Sequence, residues 1–233
     1  MNNSFNQVIK KDFPLIVSLP ENRIDMALAA EENGADALKV HLNVEHFASG
    51  TRFGSWKEEK NNILEIIRSV KIPVGILPGA ETTASLEEIT EAAEEGAAFL
   101  DAFAHDLPLS LWGIPQLGYM PAVNLQYDKE TVQALTSFGV DAIEATILPH
   151  SQYGKALNMQ DLAFYHRLSR WCSCPVLIPT QKKIKPCDVV HLKKAGAGGI
   201  IIGAVVTGKS VESLAKTTRK FRNAADGADG NKT

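Results

Sequence analysis

The feature that most restricts what this chain can fold into is an alternation of two kinds of short apolar run. One kind is led by proline: Phe13-Pro14-Leu15-Ile16-Val17, Ile72-Pro73-Val74-Gly75-Ile76, Met120-Pro121-Ala122-Val123-Asn124 and Cys174-Pro175-Val176-Leu177-Ile178. The other is led by a glycine of the sort that ends a helix in the left-handed conformation. These are Gly34-Ala35-Asp36-Ala37-Leu38, Gly96-Ala97-Ala98-Phe99-Leu100, Gly139-Val140-Asp141-Ala142-Ile143 and Gly196-Ala197-Gly198-Gly199-Ile200. The two kinds alternate without exception along the chain, and helical patterns fill most of the gaps between them: Arg23 to Glu32, Glu58 to Ser69, Leu86 to Glu95, Glu130 to Phe138, Leu162 to Trp171, Val189 to Lys194 and Val211 to Phe221. The weakest helical stretch is Leu107 to Gln116, which Pro108, Gly113 and Pro115 interrupt. Eight buried strands alternating with helices over 233 residues predict a single parallel (β/α)8 TIM barrel spanning 1–225, followed by a flexible tail at 226–233. The structural alternative is an open, doubly wound sheet. Asn2 to Lys11 is expected to cover the bottom of the barrel.

Composition narrows the function classes. Hydrophobic residues are 45% of the chain and charged residues 22%, enough apolar mass for an ordinary core. Lysine and arginine number 24 against 27 aspartates and glutamates, a net charge of −3, so nucleic acid is not an expected partner. No apolar run approaches the roughly 18 residues of a bilayer span, and Met1-Asn2-Asn3-Ser4 lacks the layout of a signal peptide, which predicts no membrane partner and a cytoplasmic location. Homo-oligomerisation stays open. Cys172, Cys174 and Cys187 read as reduced thiols rather than a disulfide framework, and the closely spaced pair Cys172 and Cys174 makes a poor metal site. No metal or cofactor is expected: P-loop, dinucleotide and HExxH patterns do not occur. Trp56, Trp112 and Trp171 read as packing residues.

Strand side chains alternate faces, so equivalent positions of the glycine-led runs can be compared. Four and six residues past the glycine every residue is apolar, which suits the helix-facing side. Five past it stand Lys39, Asp101, Glu144 and Ile201, and seven past it stand His41, Phe103, Thr146 and Gly203. The charges therefore point into the barrel, and because alternate strands supply one interior layer, Lys39, Asp101 and Glu144 are expected to meet. Three ionisable groups in such a place cost several kcal/mol each unless paired, which marks a functional layer rather than plain packing, a structural salt-bridge cluster being the alternative. If its neighbours keep Lys39 charged, it can stabilise a developing enolate; if burial lowers its pKa, it can form a Schiff base. Either way, Glu144 and Asp101 are the candidate acid and base. His41, Asn124 and Thr146 add polar groups on the same side, and His150, Tyr153 and Lys155 do so from the loop after the sixth strand. Thr51 and Arg52, flanked by Gly50 and Gly54, read as a flap carrying a cation. At the end of the chain, Gly203 and Ala204 lead from a strand into a helix, an arrangement that presents backbone N–H groups to a phosphate, with Thr180, Lys182, Lys183 and Lys185 on the preceding loop.

These residues resemble the ribulose-phosphate-binding barrel superfamily, and most closely the N-acetylmannosamine-6-phosphate 2-epimerase family. The resemblance rests on Val140-Asp141-Ala142-Ile143 with Thr146, on Tyr153-Gly154-Lys155-Ala156-Leu157, on Cys174-Pro175-Val176-Leu177, and on Gly196 to Thr207. It implies a basic residue at Lys39, a threonine at Thr146, and a phosphorylated, sugar-like ligand with its phosphate at Gly203, Ala204 and the seventh loop. The departures lie at the chemistry. Where the family has its catalytic lysine and glutamate, this chain has Pro78 and Pro179, which can neither take nor give a proton. Asp101 and Glu144 stand where the family tends to have small residues. The expectation is a phosphate-binding barrel with relocated charges, acting on a small phosphorylated metabolite as an isomerase or epimerase. A Schiff-base aldolase using Lys39 and a non-catalytic metabolite-binding barrel are the alternatives.

Overall fold

A computed structural model describes residues 4–227. Eight parallel strands form the barrel: β1 Leu15–Ser18, β2 Ala37–His41, β3 Val74–Leu77, β4 Phe99–Leu100, β5 Gly118–Tyr119, β6 Ile143–Glu144, β7 Val176–Pro179 and β8 Gly199–Ile202. Their order in space runs β5-β4-β3-β2-β1-β8-β7-β6, each paired in parallel with its neighbour. Beyond β5, Ala122 bridges Glu144 in parallel, Val123 N donates to Glu144 O at 3.0 Å, and Glu144 N donates to Pro121 O at 3.1 Å, which joins the two ends of the sheet. The arrangement is the (β/α)8 barrel that the alternation predicts, not an open sheet.

The leading glycines act as the sequence requires. Gly34, Gly96, Gly139 and Gly196 all take positive φ, between 88° and 109°, a conformation that costs other residues a backbone clash. Helices Ile24–Glu32, Trp56–Ser69, Leu86–Glu94, Lys129–Ser137, Met159–Trp171, Val189–Lys194 and Val211–Ala225 pack outside, the helices at Trp56, Leu86 and Met159 starting in capping boxes. The interrupted stretch at 107–116 keeps only a 3-10 turn, Leu109–Leu111, because proline and glycine deny it a continuous backbone ladder. The loop after β2 is not a plain flap: Val44–His46 and Thr51–Phe53 pair as an antiparallel hairpin. Among the described residues, no helix is long and apolar enough to cross a membrane. The tail expected from residue 226 falls, beyond Gly227, outside the described residues.

The bottom of the barrel is closed by helix Ser4–Ile9. Phe5, Val8 and Ile9 are buried in a cluster with Ile16, Ala37, Phe99, Met120, Ala142, Leu177 and Ile201, one or more residues from seven of the eight strands or their margins. Phe5 stacks on Phe99 with centroids 4.0 Å apart. Phe99 fits because its neighbour across the sheet is Gly75: a Cβ there would meet the Phe99 ring at 2.2 Å. Polar ties fix the plug from two sides. Asn6 Nδ2 donates to Asp141 Oδ1 at 2.6 Å, and Lys11 pairs with Asp36 at 2.7 Å. Asp36 and Asp141 hold equivalent places before β2 and β6, and each also accepts a backbone amide of the preceding odd-numbered strand, Leu15 N and Tyr119 N, at 2.8 Å. Truncation of Phe5 to alanine leaves a cavity under the barrel floor. Phe5→Ala is expected to cost about 3–5 kcal/mol, read as a lowered urea midpoint at unchanged slope.

Candidate functional site

Three of the interior positions predicted to meet do so. Lys39 Nζ lies 2.7 Å from Asp101 Oδ2 and 2.8 Å from Glu144 Oε2, and all three residues are buried, Asp101 completely. Glu144 Oε1 accepts from Thr146 Oγ1 at 2.7 Å, so both oxygens of that carboxylate are held. Asp101 Oδ1, by contrast, has no protein partner. The strands set this geometry: Lys39, Asp101 and Glu144 stand on β2, just past β4, and on β6, alternate strands whose inward side chains share a layer. Ile201 of β8 completes that layer beneath the cavity.

Burial and charge act against each other here. Burial disfavours the Lys39 ammonium, but the facing carboxylates of Asp101 and Glu144 outweigh it and hold the amine above its ordinary value. Burial and the neighbouring Glu144 charge push Asp101 well up. Glu144 goes the other way: burial would raise it, yet Lys39, Asp101 and Thr146 bring it down to about 2. The two carboxyl groups thus diverge around the ammonium, Asp101 toward its protonated form and Glu144 toward its carboxylate. Of the two chemistries open to Lys39 from sequence, the geometry favours the charged form over the free-amine nucleophile.

The cluster floors a cavity of about 640 Å³ at the C-terminal end of the strands. Of the remaining candidates, His41, Thr146, His150, Tyr153, Thr180 and Gly203 line it. His41 is 1% exposed, with Nε2 3.2 Å from Ser18 Oγ and Nδ1 without a partner. Its imidazole is kept neutral, first by burial and then by His46 and Lys39. Gly203 N donates to Thr180 Oγ1 at 2.9 Å, leaving the threonine O–H to donate elsewhere. Nothing in the fold demands glycine at 203: φ is −141°, and an added Cβ would meet nothing closer than 3.5 Å. What the missing side chain leaves is open space beside Ser18. The short helix Ala204–Thr207 starts there, and its first amides have no intrahelical acceptor.

Six predicted residues do not reach this lining. Lys182 is 2% exposed, and its ammonium is taken by Asp161 at 3.2 Å and Gln152 at 3.3 Å; Asp161 is itself fixed by capping the helix at Met159. Lys183 and Lys155 are exposed and joined through their backbones, Lys183 N to Lys155 O at 2.9 Å. Asn124 turns back to accept from Gln126 N at 2.9 Å. Ala204 is buried at the start of its helix, outside the lining, although Val205 lines the cavity. Arg52 is exposed on the hairpin and also lies off the lining. Sequence reasoning missed Ser18, His46, Phe47 and Gln181, which do line it. Ser18 was within reach of the method, since β1 ends in a polar residue paired in register with Lys39. Among the described residues, no group of three or more His, Cys, Asp or Glu side chains is placed to hold a metal ion.

Two outcomes test the electrostatics. Above the ordinary aspartate value of 3.8, the unfolded chain releases the Asp101 proton while the folded chain keeps it, so this group lowers stability as pH rises. Asp101→Asn is therefore expected to raise the urea midpoint at pH 7 and to lose that gain below about pH 3.5. Glu144 stabilises above its ordinary value of 4.5, a contribution lost as pH falls toward about 2. Removing its counter-charge with Lys39→Met is expected to cost about 3–5 kcal/mol at neutral pH, part of it recovered in the double variant Lys39→Met/Glu144→Gln.

No protein-family model matches the chain, and no curated protein sequence matches it. Solved structures do share the fold. A thiamine phosphate pyrophosphorylase from Pyrococcus furiosus superposes with a TM-score of 0.64 at 15% identity, over 94% of this chain and 98% of that one. A tryptophan synthase alpha-subunit variant from the same organism gives a TM-score of 0.72 at 18% identity, over 91% and 98%. Tryptophan synthase from M. tuberculosis gives 0.73 at 12% identity, over 96% and 99%. At these identities the likeness is one of architecture: the chain has the TIM-barrel fold of these enzymes.

Proposed function

We propose that this barrel is an enzyme of small-molecule metabolism that moves a proton on a carbon next to a carbonyl, an isomerase or epimerase of a phosphorylated substrate. The observation that carries the reading is the Lys39 ammonium fixed between the carboxyl groups of Asp101 and Glu144 on the floor of the cavity. Lys39 has three N–H donors and spends two of them on Asp101 and Glu144, which leaves one for a substrate oxygen. Asp101, whose proton affinity burial and Glu144 raise, has Oδ1 unpartnered and open to a second hydrogen bond with the substrate. Glu144 is the base. Its low proton affinity comes from Lys39, so as negative charge develops on the substrate oxygen and draws the ammonium toward it, Glu144 becomes a stronger acceptor at the step that needs one. The phosphate end is supported by Gly203, whose missing side chain opens a space that the fold does not otherwise need, by the O–H of Thr180, and by the first amides of Ala204–Thr207. Lys182 and Lys183 take no part in it.

Proton transfer is read directly as solvent deuterium entering the carbon next to the carbonyl when a panel of aldose and ketose phosphates is incubated with the protein in D2O. The wild type is expected to exchange at least one member, and Glu144→Gln to slow that exchange by about 10²–10⁴-fold. Tight binding without any exchange would instead identify a non-catalytic sensor, and a borohydride-stable adduct at Lys39 would identify an aldolase.

A further inference from the structure

The charged floor and the Gly203 edge make up only part of the cavity surface, and the rest has a different chemistry. β2 and β6 stand four places apart in a ring of eight, so the loops that follow them face each other across the full width of the mouth. Phe47, from the loop after β2, stacks on His150, from the loop after β6, with centroids 4.5 Å apart and planes within 6°. It also meets the edge of the Tyr153 ring at 5.2 Å. One aromatic contact thus spans the mouth and roofs the cavity. β4 and β8 are opposed in the same way, so Phe103, just past β4, stands across the barrel from Gly203, with Leu77, Ala80, Ala102 and Ala122 on the same lining.

Charge is scarce on this side. Among the described residues that line the cavity, Lys39 is the sole lysine or arginine, and both of its carboxylate partners hold it. His41 and His46 are neutral, burial bringing His46 down to about 4. The other charged groups of the lining, Glu45 and Glu81, are exposed carboxylates. A second anionic group on a ligand would find no cation here. Three buried lining atoms lack partners inside the protein: Asp101 Oδ1, His41 Nδ1 and Gln181 Oε1. Orphaned polar atoms of this kind are satisfied by a ligand or by water. The volume, about 640 Å³, falls well inside the roughly 300–1,000 Å³ of pockets that enclose drug-sized ligands.

We infer that the cavity takes a two-ended ligand: a polar, reactive end on the Lys39 floor and an uncharged aromatic body seated under Phe47 and against Phe103. The Phe47–His150 pair gives that body an aromatic surface to pack against. The polar end rests on the proton-transfer reading above; the aromatic subsite stands on the roof, the wall and the missing cations.

The subsite is tested by titrating the full chain with benzyl alcohol, cyclohexylmethanol and benzoate, followed by ligand-observed NMR. Benzyl alcohol is expected to bind saturably with a Kd on the order of millimolar, as its few atoms allow, and benzoate about tenfold more weakly. Phe47→Ala, at an exposed position that the fold does not need, and Phe103→Ala are each expected to weaken benzyl alcohol about fivefold. Absence of saturable binding, equal or tighter binding of benzoate or cyclohexylmethanol, or indifference to both phenylalanine variants would overturn the inference. Deuterium exchange is an independent readout. Lost probe binding with exchange intact refutes the aromatic subsite alone, whereas absent exchange with probe binding intact refutes the proton-transfer reading alone.

Discussion

An ammonium held between two acids inside a barrel is the constraint on which the rest of this molecule depends. Lys39, Asp101 and Glu144 are nearly or fully excluded from solvent, so none of them can be neutral or charged independently of the others. Their proton affinities are distributed accordingly, those of Lys39 and Asp101 raised and that of Glu144 lowered. That distribution needs rigid strands to hold 2.7 and 2.8 Å contacts across the lumen, and it needs a dry floor beneath. The floor is apolar because Gly75 yields its space to Phe99, and Phe5 stacks against Phe99 from below. The bottom plug and the charged cluster are therefore parts of one packed interior.

Much of this was legible in the sequence, and the reason is periodicity. Glycines in the left-handed conformation and prolines at strand starts are local requirements, so they mark seven of the strands without reference to the fold; the fifth, Gly118–Tyr119, runs ahead of Pro121, and the run expected there keeps only a bridge at Ala122. Once a strand is placed, period two fixes which residues face inward; Lys39, Asp101 and Glu144 could be assigned to one layer on that ground alone. Loops have no such period. Lys182 reads as a phosphate ligand by its position after β7, yet Asp161 and Gln152 draw it away from the lining. Asn124 reads as an inward strand residue, but the strand has already ended there and its side chain caps the next turn. Phe47 escaped notice because what matters about it is its contact with His150, about a hundred residues further on, and no short-range pattern encodes that.

The relocation of charge also has a geometric sense. Pro78 follows β3 and Pro179 ends β7, both odd-numbered strands, whereas the charged trio belongs to β2, β4 and β6. Odd and even strands contribute to different layers of a barrel interior. The odd-strand layer of this cavity, with Ser18, Leu77, Ala122 and Pro179, carries no charge at all. With prolines at those two odd-strand ends, the ionisable groups of the interior stand on the even set alone.

The plug at Ser4–Ile9 bears on how the chain reaches its native state. Phe5 shares its apolar cluster with Ala142, Leu177 and Ile201, residues that emerge from synthesis long after it. Until the last strands arrive, the aromatic face of this helix has nothing complete to dock against. Contacts of such sequence separation slow folding, and they leave apolar surface exposed while the barrel is partial. The complete seat of the first helix therefore exists only when strands from both halves of the chain stand in the ring.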